Sequence, residues 1–208
     1  MEKEQLAQLM GKFACKKLKT GNIRTSPFRM SYPNLFEKSS SNDGEFAEKY
    51  GVTLLFPKGA NLKLLHDAIE ATAVAKFGPK VVMKTLRLPF RDQGTKDKVG
   101  YEPGAEFFRA NSDVRPGILG PDGKPLTDPK DAPAGFWAVA TVNPFAYDKK
   151  GRGVAMGLQN VAIIAADETF GAMNADAHEE FADVLDGAAD AAAMFEQEAD
   201  ADQEVDFG

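Results

Sequence analysis

The stretch from Gly135 to Ala166 constrains the fold more than any other, because it reads as two long strands joined by a tight turn. Side chains of period two put Trp137, Val139, Thr141, Asn143, Phe145 and Tyr147 on one face of the first strand. Phe136, Ala138, Ala140, Val142 and Ala146 take the other. Asp148-Lys149-Lys150-Gly151 supplies the turn, with Gly151 free to adopt a positive φ, and Arg152 to Ala166 returns as a glycine-containing strand. One face is small and apolar, the other aromatic and polar. An aromatic, polar-edged face suits flat ligands such as bases. The same pattern also suits rings that fill a core.

A chain of 208 residues, 43% of them hydrophobic, can bury one good core and carry one appendage. No apolar run approaches the roughly 20 residues of a membrane span, and Met1-Glu2-Lys3-Glu4-Gln5 lacks the apolar centre of a signal peptide. The expectation is a cytoplasmic protein with no membrane partner. The single cysteine, Cys15, has no partner for an internal disulfide, and His66 and His178 alone make no Cys/His set for zinc. The net charge of −6 conceals a division. Residues 1–165 hold 25 Lys and Arg against 17 Asp and Glu, a net of +8, whereas residues 166–208 hold 14 acids and no Lys or Arg. A basic body implies an anionic partner, and an acidic end implies competition for the body or recruitment of something else. A tail that only aids solubility is the plainer alternative.

From the start of the chain, Glu2 to Met10 reads as a weak helix. Lys12 to Lys19 and Ile23 to Tyr32 read as a hairpin about Thr20-Gly21-Asn22, with Pro27 marking the second strand as an edge or a bulge. Lys49 to Phe56 is an apolar run of buried-strand length, stopped by Pro57. Leu62, Leu65, Ala68, Ile69, Thr72, Ala73 and Phe77 then recur at helical spacing behind an Asn61 cap, so one face of this helix packs on the sheet. Within it, His66 has no second metal ligand nearby in sequence and reads as an ordinary helical residue. Val81 to Leu88 has strand character, Pro89 to Tyr101 opens into a long basic loop, and Phe107 to Ser112 is another short strand. The body is therefore mainly β.

Enzyme signatures are missing. There is no phosphate-binding loop ending in Gly-Lys-Ser/Thr, no His-Glu-x-x-His and no Gly-x-Ser-x-Gly. Gly151, Gly153 and Gly157 enter a strand and open no helix, so they form no dinucleotide fingerprint. The reading is a non-catalytic chain without cofactor or metal. A metal-dependent nucleic-acid enzyme with carboxylates from distant segments, or a virion structural protein, are the rival classes.

Five segments, in order, resemble a tailed-phage family of single-stranded-DNA-binding proteins. They are Ser31-Tyr32-Pro33-Asn34-Leu35-Phe36, Tyr50 to Lys58, Arg115-Pro116-Gly117, Asn143-Pro144-Phe145-Ala146-Tyr147 and Gly153 to Val161. The resemblance spans Ile23 to Asp183. It implies an OB-like five-stranded barrel with one packing helix that coats single-stranded DNA during phage replication or recombination, in the cytoplasm of the infected bacterial host. The Lys12–Tyr32 hairpin, the Tyr50–Phe56 strand, the helix and the Gly135–Ala166 hairpin supply five strands with a helix after the third, elaborated by strands near Val81 and Phe107.

On this reading residues 1–174 form the nucleic-acid-binding domain and residues 175–208 an acidic tail with a short helix around Phe181, Val184 and Leu185, disordered beyond Ala199. Stacking falls to Trp137, Phe145 and Tyr147, with Tyr32, Phe90 and Tyr101 behind them. Phosphate binding falls to Arg24, Arg29, Lys84, Arg87, Arg109, Lys149, Lys150 and Arg152. In the tail, Asp200, Asp202, Glu204, Asp206 and Phe207 look similar to the acidic, near-terminal-Phe ends that replication proteins such as a polymerase or helicase grip. Gly208 follows the aromatic residue here, a departure from that pattern. The sequence does not give the oligomeric state.

Overall fold

A computed structural model, which describes residues 3–39, 48–149 and 151–171, builds two α-helices and nine strands. Helix α1 (Lys3–Lys12) is followed by β1 (Lys16–Lys17), β2 (Ile23–Arg24), β3 (Phe28–Ser39) and β4 (Lys49–Leu55). Helix α2 (Lys63–Phe77) then leads to β5 (Arg91–Asp92), β6 (Glu106–Ser112), β7 (Gly117–Leu119), β8 (Trp137–Tyr147) and β9 (Gly153–Ala165).

The β8–β9 pair is antiparallel from Trp137↔Ala165 to Tyr147↔Gly153, and Gly151 in its turn has φ 117°. The alternation read from β8 sorts its side chains as expected: Ala138, Ala140 and Val142 are buried in the core, where small side chains let a second layer approach. Pairings then run β8–β3, β3–β4, β4–β6 and, in parallel, β6–β9, which returns to β8. Five strands thus close a ring around Met30, Val52, Leu54, Phe108, Ala110, Met156 and Leu158, each at most 1% exposed. Helix α2 packs on β8 and β9 through Leu65, Ile69 and Ala73, and Asn61 Oδ1 accepts from the Lys63 N–H at 3.2 Å at its start.

Four sequence expectations change. The Lys12–Tyr32 hairpin contracts to the two rungs Lys16↔Arg24 and Lys17↔Ile23. The run beyond Arg24 breaks at Thr25–Pro27, because Pro27 has no N–H for a ladder, and resumes as β3 along β8. Thr25 bridges the break, its N–H donating to Ala140 O (2.8 Å) and its hydroxyl accepting from the Ala140 N–H (3.1 Å). Val81–Leu88 is no strand but a 3₁₀ turn at Met83–Thr85. Its one bridge, Arg87↔Gly153, lies on the edge of β9 that β6 occupies from Met156 onward, so no ladder can grow there. The Phe107 strand, expected as an elaboration, is a member of the ring, and α2 follows the second ring strand where the sequence reading put a helix after the third.

Candidate nucleic-acid interface

Register fixes which outward side chains become neighbours. One row crosses the sheet as Trp137, Arg29, Leu55 and Phe107, the next as Ser31, Thr53 and Arg109, and the third as Asn34, Gly51, Asn111, Gly157 and Asn143. Glycine at 157 has a steric cause: a Cβ there would lie 2.6 Å from Asn143 Oδ1, so only hydrogen lets that amide lie across β9. The outer surface of β3, β4 and β6 is polar at its centre, with rings at its margins.

Arg109 occupies the middle. Its Nε donates to Asn111 Oδ1 (3.0 Å), and one terminal nitrogen donates to Asn34 Oδ1 (3.0 Å). The other donates to Tyr32 O (3.3 Å) and Thr53 Oγ1 (3.4 Å). Burial pulls its pKa below the ordinary arginine value, against a smaller opposing influence of Tyr101. Tyr32 is 54% exposed, and β3 slips register against β4 between Ser31 and Asn34 at that point. Tyr101 packs edge-on over Phe107 at 5.5 Å, with its hydroxyl 3.3 Å from Ser31 Oγ. The Pro89–Tyr101 segment is pinned: buried Gln93 donates to Phe56 O (2.7 Å) and Glu106 O (2.9 Å) and accepts from the Glu102 N–H (2.9 Å).

Beside this centre a groove of about 810 Å³ runs between Ser39 and Lys49, Asn111 to Val114, and the Asn143–Tyr147 end of β8. Phe145 stands 45% exposed at its side, and Gln159 Nε2 donates to Asn143 Oδ1 at 2.9 Å. Lys49 lies 3.2 Å from Asp113 at the rim.

The other sequence-predicted residues fall elsewhere. Trp137, expected on an open platform, is 4% exposed and donates from Nε1 to Asp167 Oδ2 at 2.6 Å. The segment Asp167–Phe170 lies over it. Arg29 Nε donates to Gly135 O (2.8 Å), its terminal nitrogen to Glu168 O, and its guanidinium sits 4.2 Å from the Phe170 ring centroid. A Cβ on Gly100 would collide with that ring, so glycine there is what admits it. Burial lowers the Arg29 pKa, with Asp167, Glu168 and Glu102 opposing. Phe90 also belongs to the interior, at 4.2 Å from His66, 5.0 Å from Phe108 and 6.3 Å from Phe56, ring to ring. His66 itself reaches Glu106 Oε2 at 3.0 Å.

The predicted cations divide into separate groups. Arg24 donates to Ala14 O at 3.1 Å on the α1 side. Arg87 and Arg152 are joined through their backbones at the β8–β9 turn, where Arg152 covers the Phe77 ring at 4.4 Å and Lys149 is exposed. Lys84 is exposed in the preceding 3₁₀ turn. Lys150 and the tail residues Asp200, Asp202, Glu204, Asp206 and Phe207 lie outside the described residues. Among the described residues, no group of three His, Cys, Asp or Glu side chains is placed to hold a metal ion, and no helix is long and apolar enough to cross a membrane. Sequence reasoning missed Asn34, Asn111 and Phe107. The signal for Asn111 was present as a glycine inside a strand pattern, at Gly51, where a Cβ would lie 2.5 Å from Asn111 Oδ1, and such a glycine marks close approach across a sheet.

Residues 16–204 match the family model described as the single-stranded-DNA-binding protein of Enterobacter phage Enc34. A solved structure of the bacteriophage Enc34 single-stranded DNA-binding protein in complex with single-stranded DNA is 27% identical, with a TM-score of 0.65 over 76% of this chain and 94% of that one. A second structure of the same phage protein is 25% identical, with a TM-score of 0.64 over 81% and 94%. The putative protein p50 of Acyrthosiphon pisum secondary endosymbiont phage 1 is 28% identical, over 78% of this chain and 93% of its own length. The gp2.5 single-stranded DNA binding protein of bacteriophage T7, at 15% identity and a TM-score of 0.50 over 78% and 98%, shares the fold.

Proposed function

Because this chain belongs to the family of the Enterobacter phage Enc34 single-stranded-DNA-binding protein, we propose that it binds single-stranded DNA without catalysis and with little regard to sequence. The observation that carries the reading is the outer face of the ring, where Tyr32 and Phe145 stand exposed around a centre of Asn34, Arg109, Asn111 and Asn143. Rings stack on any base, amides satisfy polar edges, and exposed cations at the β8–β9 turn neutralise phosphates. The ring is OB-like: its strands pair in the order first, second, third, fifth, fourth, first, with the third and fifth parallel.

Fluorescence anisotropy with labelled single- and double-stranded oligonucleotides over a salt series tests the reading. Single strands of any sequence bind, log affinity falls with log salt by about 0.7 per phosphate neutralised, and incubation with Mg²⁺ leaves the strand intact. Cleavage would make the protein a nuclease; indifference to DNA would make it a structural component.

The coat it forms serves phage replication or recombination in the cytoplasm of the infected bacterial host. The 14 acids after residue 165 compete with DNA for the basic body, an effect that salt screens. A chain ending at Gly187 therefore binds single strands more tightly at low salt, with the advantage shrinking as salt rises. Unchanged or weaker binding there rules the competition out. The end of the tail, with Asp200, Asp202, Glu204, Asp206 and Phe207, recruits a replication partner such as a polymerase or helicase, so Phe207→Ala weakens that capture and leaves DNA affinity almost unaltered.

A further inference from the structure

Tyr32 is the one non-glycine residue among the described residues with a positive φ, at 46°. Side chains with a Cβ are disfavoured in that region, and a residue before proline, as Tyr32 is before Pro33, prefers extended backbone. Such a conformation persists only where surrounding contacts hold it, and it collects at ligand clamps. The contacts are those of Arg109. Its guanidinium spans the register slip in β3, bonding Tyr32 O on one side and Asn34 Oδ1 on the other, while Asn111 and Thr53 anchor it from β6 and β4. All three nitrogens are engaged within the protein, and a guanidinium has five N–H donors in all. A residue so occupied is poorly placed to serve as a phosphate ligand. The ring it supports is 54% exposed, against 45% for Phe145.

We propose that Arg109 is a positioning residue that holds the left-handed kink at Tyr32, and that Tyr32 is the base-stacking side chain this kink presents; the proposal rests on the single-strand-binding reading. It reverses the role that the sequence suggests for Arg109, a phosphate ligand, and promotes Tyr32 from a second choice. The geometry needs the planar fork, which a lysine ammonium does not reproduce.

Anisotropy with one single-stranded oligonucleotide over a salt series separates the roles. Arg109→Gln and Arg109→Lys both weaken binding, and neither changes the slope of log affinity against log salt. Tyr32→Gly, which removes the ring and tolerates the φ, costs about 5- to 150-fold, the worth of one stacked base. The double variant Arg109→Gln with Tyr32→Gly binds no worse than Tyr32→Gly alone, because both changes remove the same stacking interaction. A slope that flattens by about 0.7 in Arg109→Gln and is restored in Arg109→Lys would make Arg109 a phosphate ligand and overturn the proposal. Additive losses in the double variant would overturn it too. If Arg109→Gln does not fold, Tyr32→Gly decides, and unimpaired binding there refutes the stacking role. Failure of the unaltered chain to bind any single strand sinks the function itself, and this proposal with it.

Discussion

The two ends of one strand face have opposite fates. Along β8, Trp137 and Phe145 belong to the same alternating set, eight residues apart, yet Trp137 is 4% exposed and Phe145 45%. Nothing in β8 itself makes the difference. At the Trp137 end the chain that leaves β9 folds back, placing Asp167 on the indole nitrogen and Phe170 on Arg29, with the Phe170 N–H donating to Ala134 O at 3.0 Å. At the Phe145 end the groove beside Asn111 lies open. A period of two defines a face, whereas exposure depends on what a distant segment lays over it.

The largest expected effect breaks that contrast at its buried end. Trp137→Ala removes a buried ring and costs about 3–5 kcal/mol of stability, read from denaturant unfolding by circular dichroism. Phe145→Ala changes stability by about 0.5 kcal/mol or less but weakens single-strand binding by about 1–3 kcal/mol. The comparison is wrong if the two variants exchange phenotypes. Trp137 is the sole tryptophan, so its emission reports the covered end alone, and saturating DNA leaves it nearly unquenched.

This contrast also marks what the sequence disclosed. The alternation in β8, the Asp148–Gly151 turn, the apolar run of β4 and the helical spacing from Leu62 to Phe77 are local signals, and the elements they specify formed. The position of the Phe107 strand within the ring was not legible, because membership depends on the pairings Thr53↔Arg109 and Ala110↔Met156 between segments over forty residues apart. Val81–Leu88 shows the converse. Its β propensity was overridden when β6 took the edge of β9 that it needed. At the site, residue type identified Tyr32, Phe145 and Arg109 as candidates, but the packing of half-buried Phe90 against the core, the burial of Trp137 and the internal bonds of Arg109 follow from tertiary neighbours that composition does not encode.

A smaller effect sharpens the comparison through charge. Replacing Lys149 and Lys150 together by Ala at the open end weakens binding alike on all sequences and flattens the salt dependence by about 0.7 for each phosphate left without its cation. Arg29→Gln at the covered end leaves that slope unchanged, since its guanidinium is already held by Gly135 O, Glu168 O and the Phe170 ring. Equal slopes in the lysine variant and the unaltered chain would place the β8–β9 turn outside the DNA path.

The smallest effect concerns the cover itself. Burial raises the Asp167 pKa, but hydrogen bonds from Trp137 and the Glu168 N–H, with the nearby charge of Arg29, outweigh it and leave the carboxyl below its ordinary value. A depressed folded-state pKa means that the ionised form favours the closed segment. That contribution is fully present above the unfolded value of about 3.9 and is lost as pH falls through the lower folded value. Because Asp167 is partly solvated, the contribution is small, about 1 kcal/mol or less. Asp167→Asn should therefore lower stability slightly at neutral pH and abolish the difference at the acid end, where the unaltered carboxyl is also neutral. If the segment is what separates the two ends of β8, the same variant shifts the Trp137 emission to longer wavelength and makes it respond to single-stranded DNA. An indole that stays blue-shifted and insensitive to DNA in Asp167→Asn would show that Arg29 and Phe170 hold the cover without the carboxylate.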